Sequence, residues 1–154
     1  MSAKASHNKQ IHDKYGKKVL STALGNAFNQ SPEGIFFDPI GRTGGSFRID
    51  GIIDGNIAVE IESRSSKQVR GAVLDLALHP LPKKLLILIK MYGNDYTPQQ
   101  CRILLNEFCD AKSRFFVIEL KGTGKLPKLD ADVKIVKTAV SELRNSNITR
   151  NVIP

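Results

Sequence analysis

The fold of this chain is decided by one segment, residues 48–64, which reads RIDGIIDGNIAVEIESR. Apolar and polar residues alternate on both sides of residues 54–56, as they do in two β-strands joined by a short turn. The pattern predicts an antiparallel hairpin made of residues 47–53 and 57–62. The rest of the 154-residue chain contains no repeat or linker, so we expect a single domain.

The register of this hairpin follows from which residues share a face. A two-residue turn would place Asp50 opposite Val59, which mixes apolar with acidic positions. A three-residue loop at residues 54–56 matches the faces, and we expect it because a buried face normally sets the register. The predicted pairs are Ile53 with Ile57, Ile49 with Ile61, Asp50 with Glu60 and Arg48 with Glu62.

This register brings three carboxylates together on one face, those of Asp50, Glu60 and Glu62. Three anions so close repel one another unless a cation neutralises them. Carboxylate oxygens on neighbouring strands suit Mg²⁺ or Mn²⁺, which keep several waters and bind substrate phosphates. The alternative interpretation is a solvated strand face whose acids pair with Arg48 and Arg64. The acid across the hairpin, the basic chain and the helix that follows favour the metal site.

Outward from the hairpin, hydrophobic periodicity predicts an α/β fold. The predicted elements are a helix over residues 7–28, a loop over 29–34, a short strand over 35–37, the hairpin, a helix over 66–79, a strand over 85–89, a helix after Thr97-Pro98, a strand over 115–120, a short strand over 133–136 and a last helix ending near Asn145. The helix after Pro98 is predicted to bury Cys101, Leu104, Leu105 and Phe108. We expect a mixed sheet whose antiparallel part is extended by strands that arrive through helical crossovers.

The charge of the chain indicates a class of partner. The chain has 23 Lys and Arg against 15 Asp and Glu, a net charge of +8. Such an excess favours a polyanion such as nucleic acid, because phosphate neutralisation releases counterions, although a basic solvated surface is the alternative. No apolar run reaches the roughly 20 residues that span a bilayer, and the N-terminus is polar. We therefore expect a cytoplasmic protein, with Cys101 and Cys109 as reduced thiols.

The order of elements over residues 11–120 resembles that of the PD-(D/E)XK nuclease superfamily, the fold of many restriction endonucleases, Holliday-junction resolvases and repair nucleases. Asp50 stands for the acid of the three-strand meander, and residues 59–62, VEIE, stand for the strand motif. The sequence has Ile49 in place of the motif proline. It has Glu62 in place of the commoner lysine, as in the ExE variant of some type II restriction endonucleases. The first helix often supplies another acid in this family, and here it offers Asp13, which a solvated helical position would also explain.

The resemblance implies a restriction-endonuclease-like αβββαβ core that hydrolyses DNA phosphodiester bonds. It implies that one or two Mg²⁺ or Mn²⁺ ions bridge Asp50, Glu60 and the Ile61 carbonyl, while Glu62 holds or deprotonates the attacking water. The residues expected to contact the DNA backbone are Arg42, Arg48, Arg64, Lys67 and Arg70. Of these, Arg64 or Lys67 is also the candidate to replace the missing lysine.

Three functions are compatible with this resemblance. The first interpretation is a restriction-type endonuclease that cuts both strands of duplex DNA as a homodimer, since a chain of this size has no room for a separate recognition domain. A Holliday-junction resolvase acting on branched DNA is the alternative within the same fold. A non-catalytic DNA-binding protein on the same scaffold is the third, because the strand motif lacks its lysine.

Overall fold

The computed structural model of the protein describes residues 3–39, 47–63, 66–90 and 97–146. Its elements are α1 (Ala3–Leu24), a 3₁₀ turn (Gly25–Ala27), β1 (Phe28–Phe37), β2 (Phe47–Ile53), β3 (Ile57–Glu62), α2 (Ser66–Leu78), β4 (Lys83–Ile89), α3 (Pro98–Phe108), β5 (Arg114–Leu120) and α4 (Leu129–Asn145). The hairpin strands have the bounds that the alternating pattern predicts. The predicted cap of α3 is also confirmed, since the Thr97 side chain accepts from the Gln100 backbone N–H.

Within the described residues, the strands form one mixed sheet of five in the order β1-β2-β3-β4-β5. β1, β2 and β3 pair antiparallel, whereas β3, β4 and β5 pair parallel. The parallel strands are joined by α2 and α3, as a crossover connection requires. The predicted mixed sheet, with an antiparallel hairpin extended by helical crossovers, is confirmed.

The sheet separates two layers of apolar side chains. One layer packs against α1 and α4 and includes Val19, Leu20, Val136 and Val140. The other packs against α2 and α3 and includes Val69, Val73, Leu76, Cys101 and Leu105. β4 lies between the two layers and is buried along its whole length. Cys101 and Cys109 are free thiols, and none of the described helices is both long and apolar enough to cross a membrane.

The first helix and the first strand differ from the prediction. α1 ends at Leu24, and β1 begins at Phe28, so that it occupies the whole of the predicted loop over residues 29–34. The register of β1 against β2 shifts between Gln30 and Ile35, so that a bulge accommodates Pro32. Proline is tolerated there because β1 is an edge strand and needs no second partner.

Two predictions in the second half of the chain are wrong. Residues 133–136 are helical, because Val133 and Val136 continue with Val140 on the buried stripe of α4 rather than alternating across a strand. Phe108, predicted to be buried, is 59% exposed at the end of α3. Cys101 and Leu105 are buried as expected, and Leu104 is partly buried.

Candidate active site

The predicted three-residue loop of the hairpin is present. Ile53 pairs with Ile57, and the Asn56 N–H donates to the Ile53 carbonyl at 3.0 Å. Asp54 and Gly55 take left-handed backbone conformations, with φ of 54° and 66°. Asp54 forms a bidentate ion pair with Arg144 of α4, at 2.7 and 3.0 Å, which holds this end of the hairpin against the helix.

Beyond this matched end, β2 diverges from β3. The backbone pairing runs from Ile53–Ile57 only to Gly51–Val59. The next backbone donor of β3, the Ile61 N–H, is bound at 2.8 Å by the Asp50 carboxylate instead of by a backbone carbonyl. Because the N–H and C=O of a strand residue point toward the same neighbour, the Ile61 carbonyl also faces the gap beside Asp50.

This divergence corrects the predicted register at the acidic end. Ile49 packs in the layer of α2 and α3, whereas Ile61 packs in the layer of α1 and α4, so the two do not share a face. The predicted Arg48–Glu62 pair is also absent from the β2–β3 pairing, and Arg48 instead donates to the Glu33 carbonyl at 3.3 Å. The side chain of Asp50 has taken the place of a backbone partner, which a pattern of apolar and polar residues does not reveal.

Asp50 and Glu60 nevertheless lie close together as predicted, since the nearby Asp50 carboxyl group is, after burial, the next cause that raises the pKa of Glu60. Burial raises the pKa of Glu60 well above its ordinary value, and the charges of Asp50, Asp75 and Glu62 raise it further. Glu60 is only 8% exposed. An acid whose pKa is raised by burial and by neighbouring acids is a group whose ionised form a bound divalent cation would stabilise.

Glu62 lies deeper, at the end of β3. It is 1% exposed, and one of its carboxylate oxygens accepts the Ser63 backbone N–H at 2.9 Å. The hydroxyl of Ser63 in turn donates to Asp13 of α1 at 3.5 Å. The acid of the first helix therefore lies beside the end of the strand motif rather than on a remote solvated face.

Asp75 of α2 is a site residue that the sequence analysis missed. Burial raises its pKa to about 6; the nearby Arg48 guanidinium acts in the opposite direction, and Asp50 adds to the rise. Asp75 follows Gln68 by seven residues, two helical turns, and both lie on the cleft-facing side of α2. The seven-residue spacing indicates that Gln68 and Asp75 share one face of α2. It points to the site only once α2 is known to cover the acids.

These carboxyl groups lie in a cleft of about 660 Å³. Its walls come from α1, the bulge of β1, the diverging ends of β2 and β3, and α2. Besides the acids it is lined by cationic and amide side chains, namely Gln10, Lys14, Lys17, Arg48 and Gln68. Lys17 donates to the Ser31 carbonyl at 3.3 Å and Arg48 to the Glu33 carbonyl, so two cations tie the bulge to opposite walls of the cleft.

The predicted DNA-contacting residues are distributed unevenly. Arg48 lines the cleft, whereas Lys67 and Arg70 are exposed on α2 and are not among the residues that line it. Arg42 and Arg64 lie outside the described residues. Lys14 and Lys17 of α1 also line the cleft, together with Glu60 and Glu62.

The donor set fits a hard divalent cation. In the described part of the chain, no three His, Cys, Asp or Glu side chains converge into a complete metal-binding group. Mg²⁺, however, is commonly held by one or two carboxylates, with waters and substrate phosphates completing its six ligands. Asp50, Glu60 and the Ile61 carbonyl supply that minimum set, and the raised pKa of Glu60 reflects its burial and the acids around it.

Comparison of the chain with protein-family models, with curated proteins and with solved structures found no match.

Proposed function

We propose that this protein is a divalent-metal-dependent DNA endonuclease of the restriction type. The observation that carries the proposal is the contact between the Asp50 and Glu60 carboxyl groups where β2 diverges from β3, inside a cleft lined by cations. Neighbouring carboxylates that a bound divalent cation neutralises are typical of phosphoryl-transfer sites. A chain with a net charge of +8 supplies the field that attracts the polyanion.

Each cleft residue has a role in this proposal. Asp50, Glu60 and the Ile61 carbonyl hold Mg²⁺ or Mn²⁺, which would polarise the phosphodiester and acidify a coordinated water. Asp50 is fixed by its hydrogen bond to the Ile61 N–H, so it approaches the site in a defined orientation. Glu62, which accepts a hydrogen bond from the Ser63 N–H, would orient or deprotonate the attacking water.

The cation that the strand motif lacks comes from α1 in this proposal. Lys14 and Lys17 line the same cleft as Glu60 and Glu62, and Lys17 is already engaged by the Ser31 carbonyl. Lys14 is therefore the better candidate to neutralise charge that develops on the scissile phosphate. Arg48, Lys67 and Arg70 would contact the phosphates on either side of it. Cleavage of both strands would require a second copy of the chain.

The test is the conversion of supercoiled plasmid and unmethylated genomic DNA in the presence of Mg²⁺, Mn²⁺ or EDTA. We expect nicked and linear plasmid with either metal, and discrete genomic fragments if cleavage is sequence-specific. EDTA should abolish both. Intact DNA with both metals, from protein that still binds DNA, would contradict the endonuclease and leave a non-catalytic DNA-binding protein.

A further inference from the structure

A second feature lies at the carboxyl end of the parallel strands, as the acids of β3 do: the loop of residues 121–128, which reads KGTGKLPK and joins β5 to α4. Its backbone is held firmly by side chains of the two helices beside it. The bonds run from the Lys121 and Gly122 N–H groups to Asp132, from the Gly124 N–H to His12 Nδ1 and from the Lys128 N–H to the Tyr15 hydroxyl. Within the loop, the Thr123 N–H donates to the Leu126 carbonyl and the Leu126 N–H to the Thr123 hydroxyl.

This fixed backbone presents an unusual set of side chains to solvent. Leu126 is 75% exposed, the highest value among the large hydrophobic side chains of the described residues. Lys125, Pro127 and Lys128 around it are exposed as well. Residues 121–129 contain three lysines and no acid. Leu126 contributes little to folding in this position, and the charged residues of its loop are all lysines, so a partner that binds here would be anionic and would offer an apolar surface to Leu126.

The loop leaves the sheet close to the cleft. Glu62 of β3 is in register with Leu88 of β4, and Leu88 with Glu119 of β5. The loop therefore leaves the sheet two strands away from Glu62, about 10 Å, since adjacent strands lie about 4.8 Å apart. α1 connects the two features, because His12 and Tyr15 hold the loop while Lys14 and Lys17 line the cleft.

We propose that residues 125–128, the KLPK tip, form a DNA wedge, in which Leu126 inserts between base steps from the minor groove while Lys125 and Lys128 bind the flanking phosphates. This inference rests on the proposed DNA substrate. Leucine and proline wedges beside cations unstack base steps and bend DNA, and the bend brings more of the duplex onto the protein surface. Because base steps differ in how easily they unstack, the KLPK tip would also contribute sequence preference without contacting base edges.

The wedge is tested by binding in EDTA, where no cleavage occurs. Mixed-sequence duplexes carry either 2-aminopurine, whose emission rises on unstacking, or a donor and acceptor dye at opposite ends to report bending. We expect the wild-type protein to change both signals. Leu126→Ala should lose both and bind about fivefold or more weakly, since unstacking and wedge contacts involve a few kcal/mol per step. Lys125→Ala and Lys128→Ala should each reduce the slope of log affinity against log salt by about 0.9.

Ile103→Ala is the matched control, because Ile103 is an exposed apolar residue, 54% accessible, on α3. It should leave both DNA signals unchanged, and thermal unfolding should verify that both variants fold. Leu126→Ala with wild-type affinity, unstacking and bending would overturn the wedge even if the protein cuts DNA. A wild-type protein that binds without changing either signal would overturn it as well, and so would one that binds no DNA. Wedge signals from a protein that never cuts would instead refute only the endonuclease.

Discussion

Asp132 offers the sharpest test of how the loop of residues 121–128 is held against α1 and α4. It is fully buried in the first turn of α4 and accepts from the Tyr15 hydroxyl at 2.5 Å, the Lys121 N–H at 2.7 Å and the Gly122 N–H at 2.9 Å. Asp132→Ala would leave three donors without this acceptor, two of them buried and the Lys121 N–H partly buried. It would also release the loop that carries the KLPK tip from α4.

The expected loss follows from these three bonds. Each buried donor left without a partner costs about 1–3 kcal/mol, and water entering the vacated space recovers part of that. We therefore expect Asp132→Ala to lower the free energy of unfolding by about 3–5 kcal/mol, a large part of the 5–15 kcal/mol typical of a domain. Asp130→Ala, an exposed acid in the same helical turn, should change it by no more than about 0.5 kcal/mol.

Urea denaturation followed by far-UV circular dichroism at pH 7 measures these differences. Tyr15→Phe removes the hydroxyl that Asp132 accepts from, so the double variant completes a thermodynamic cycle. The two changes should be coupled by about 1–3 kcal/mol, as expected for directly bonded groups. A loss below about 1 kcal/mol for Asp132→Ala, or additive effects with Tyr15→Phe, would refute this account of the loop.

Three further outcomes are expected. Gly51→Ala should destabilise by about 1–3 kcal/mol, because its Cβ would overlap the Phe28 ring and lie 2.8 Å from the Asn29 carbonyl oxygen; exposed Gly71→Ala has open space and should be neutral or stabilising in the same urea titration. Burial lowers the pKa of His79 to about 4 from 6.5, so stability should fall between pH 6.5 and 4, by up to about 3 kcal/mol. That component of the pH dependence should be absent in His79→Asn, and an unchanged slope would contradict it. DNA affinity should fall steeply with salt, each phosphate contact adding about −0.9 to the slope, and a flat response would exclude phosphate-dominated binding.

The sequence predicted the hairpin well because its evidence is local. Alternation defines the bounds of β2 and β3, and matching Ile53 with Ile57 selects the three-residue loop. The divergence after Gly51 was not predictable in this way. The divergence depends on the Asp50 carboxylate, which accepts the hydrogen bond of the Ile61 N–H. The pattern of apolar residues does not specify this bond.

The other differences depend on tertiary context. Pro32 indicated a loop, and its place in a strand becomes reasonable only because β1 is an edge strand with a bulge. The Val133 segment has β-branched residues that also suit a strand, and packing of α4 against α1 decides for the helix. Asp75 belongs to the site because α2 lies over the diverging strands, which no short motif encodes.

In the proposed function, Asp50 and Glu60 together bind one divalent cation, and hydrolysis of DNA depends on that cation. The most direct measurement compares plasmid cleavage by wild-type protein, Asp50→Asn and Glu60→Gln at saturating Mg²⁺, with DNA affinity measured on the same preparations in EDTA. The account predicts that cleavage falls by at least about 100-fold in each variant while DNA affinity is retained or increased, because an anionic ligand and not a phosphate contact is removed. Cleavage at the wild-type rate by either variant would contradict it.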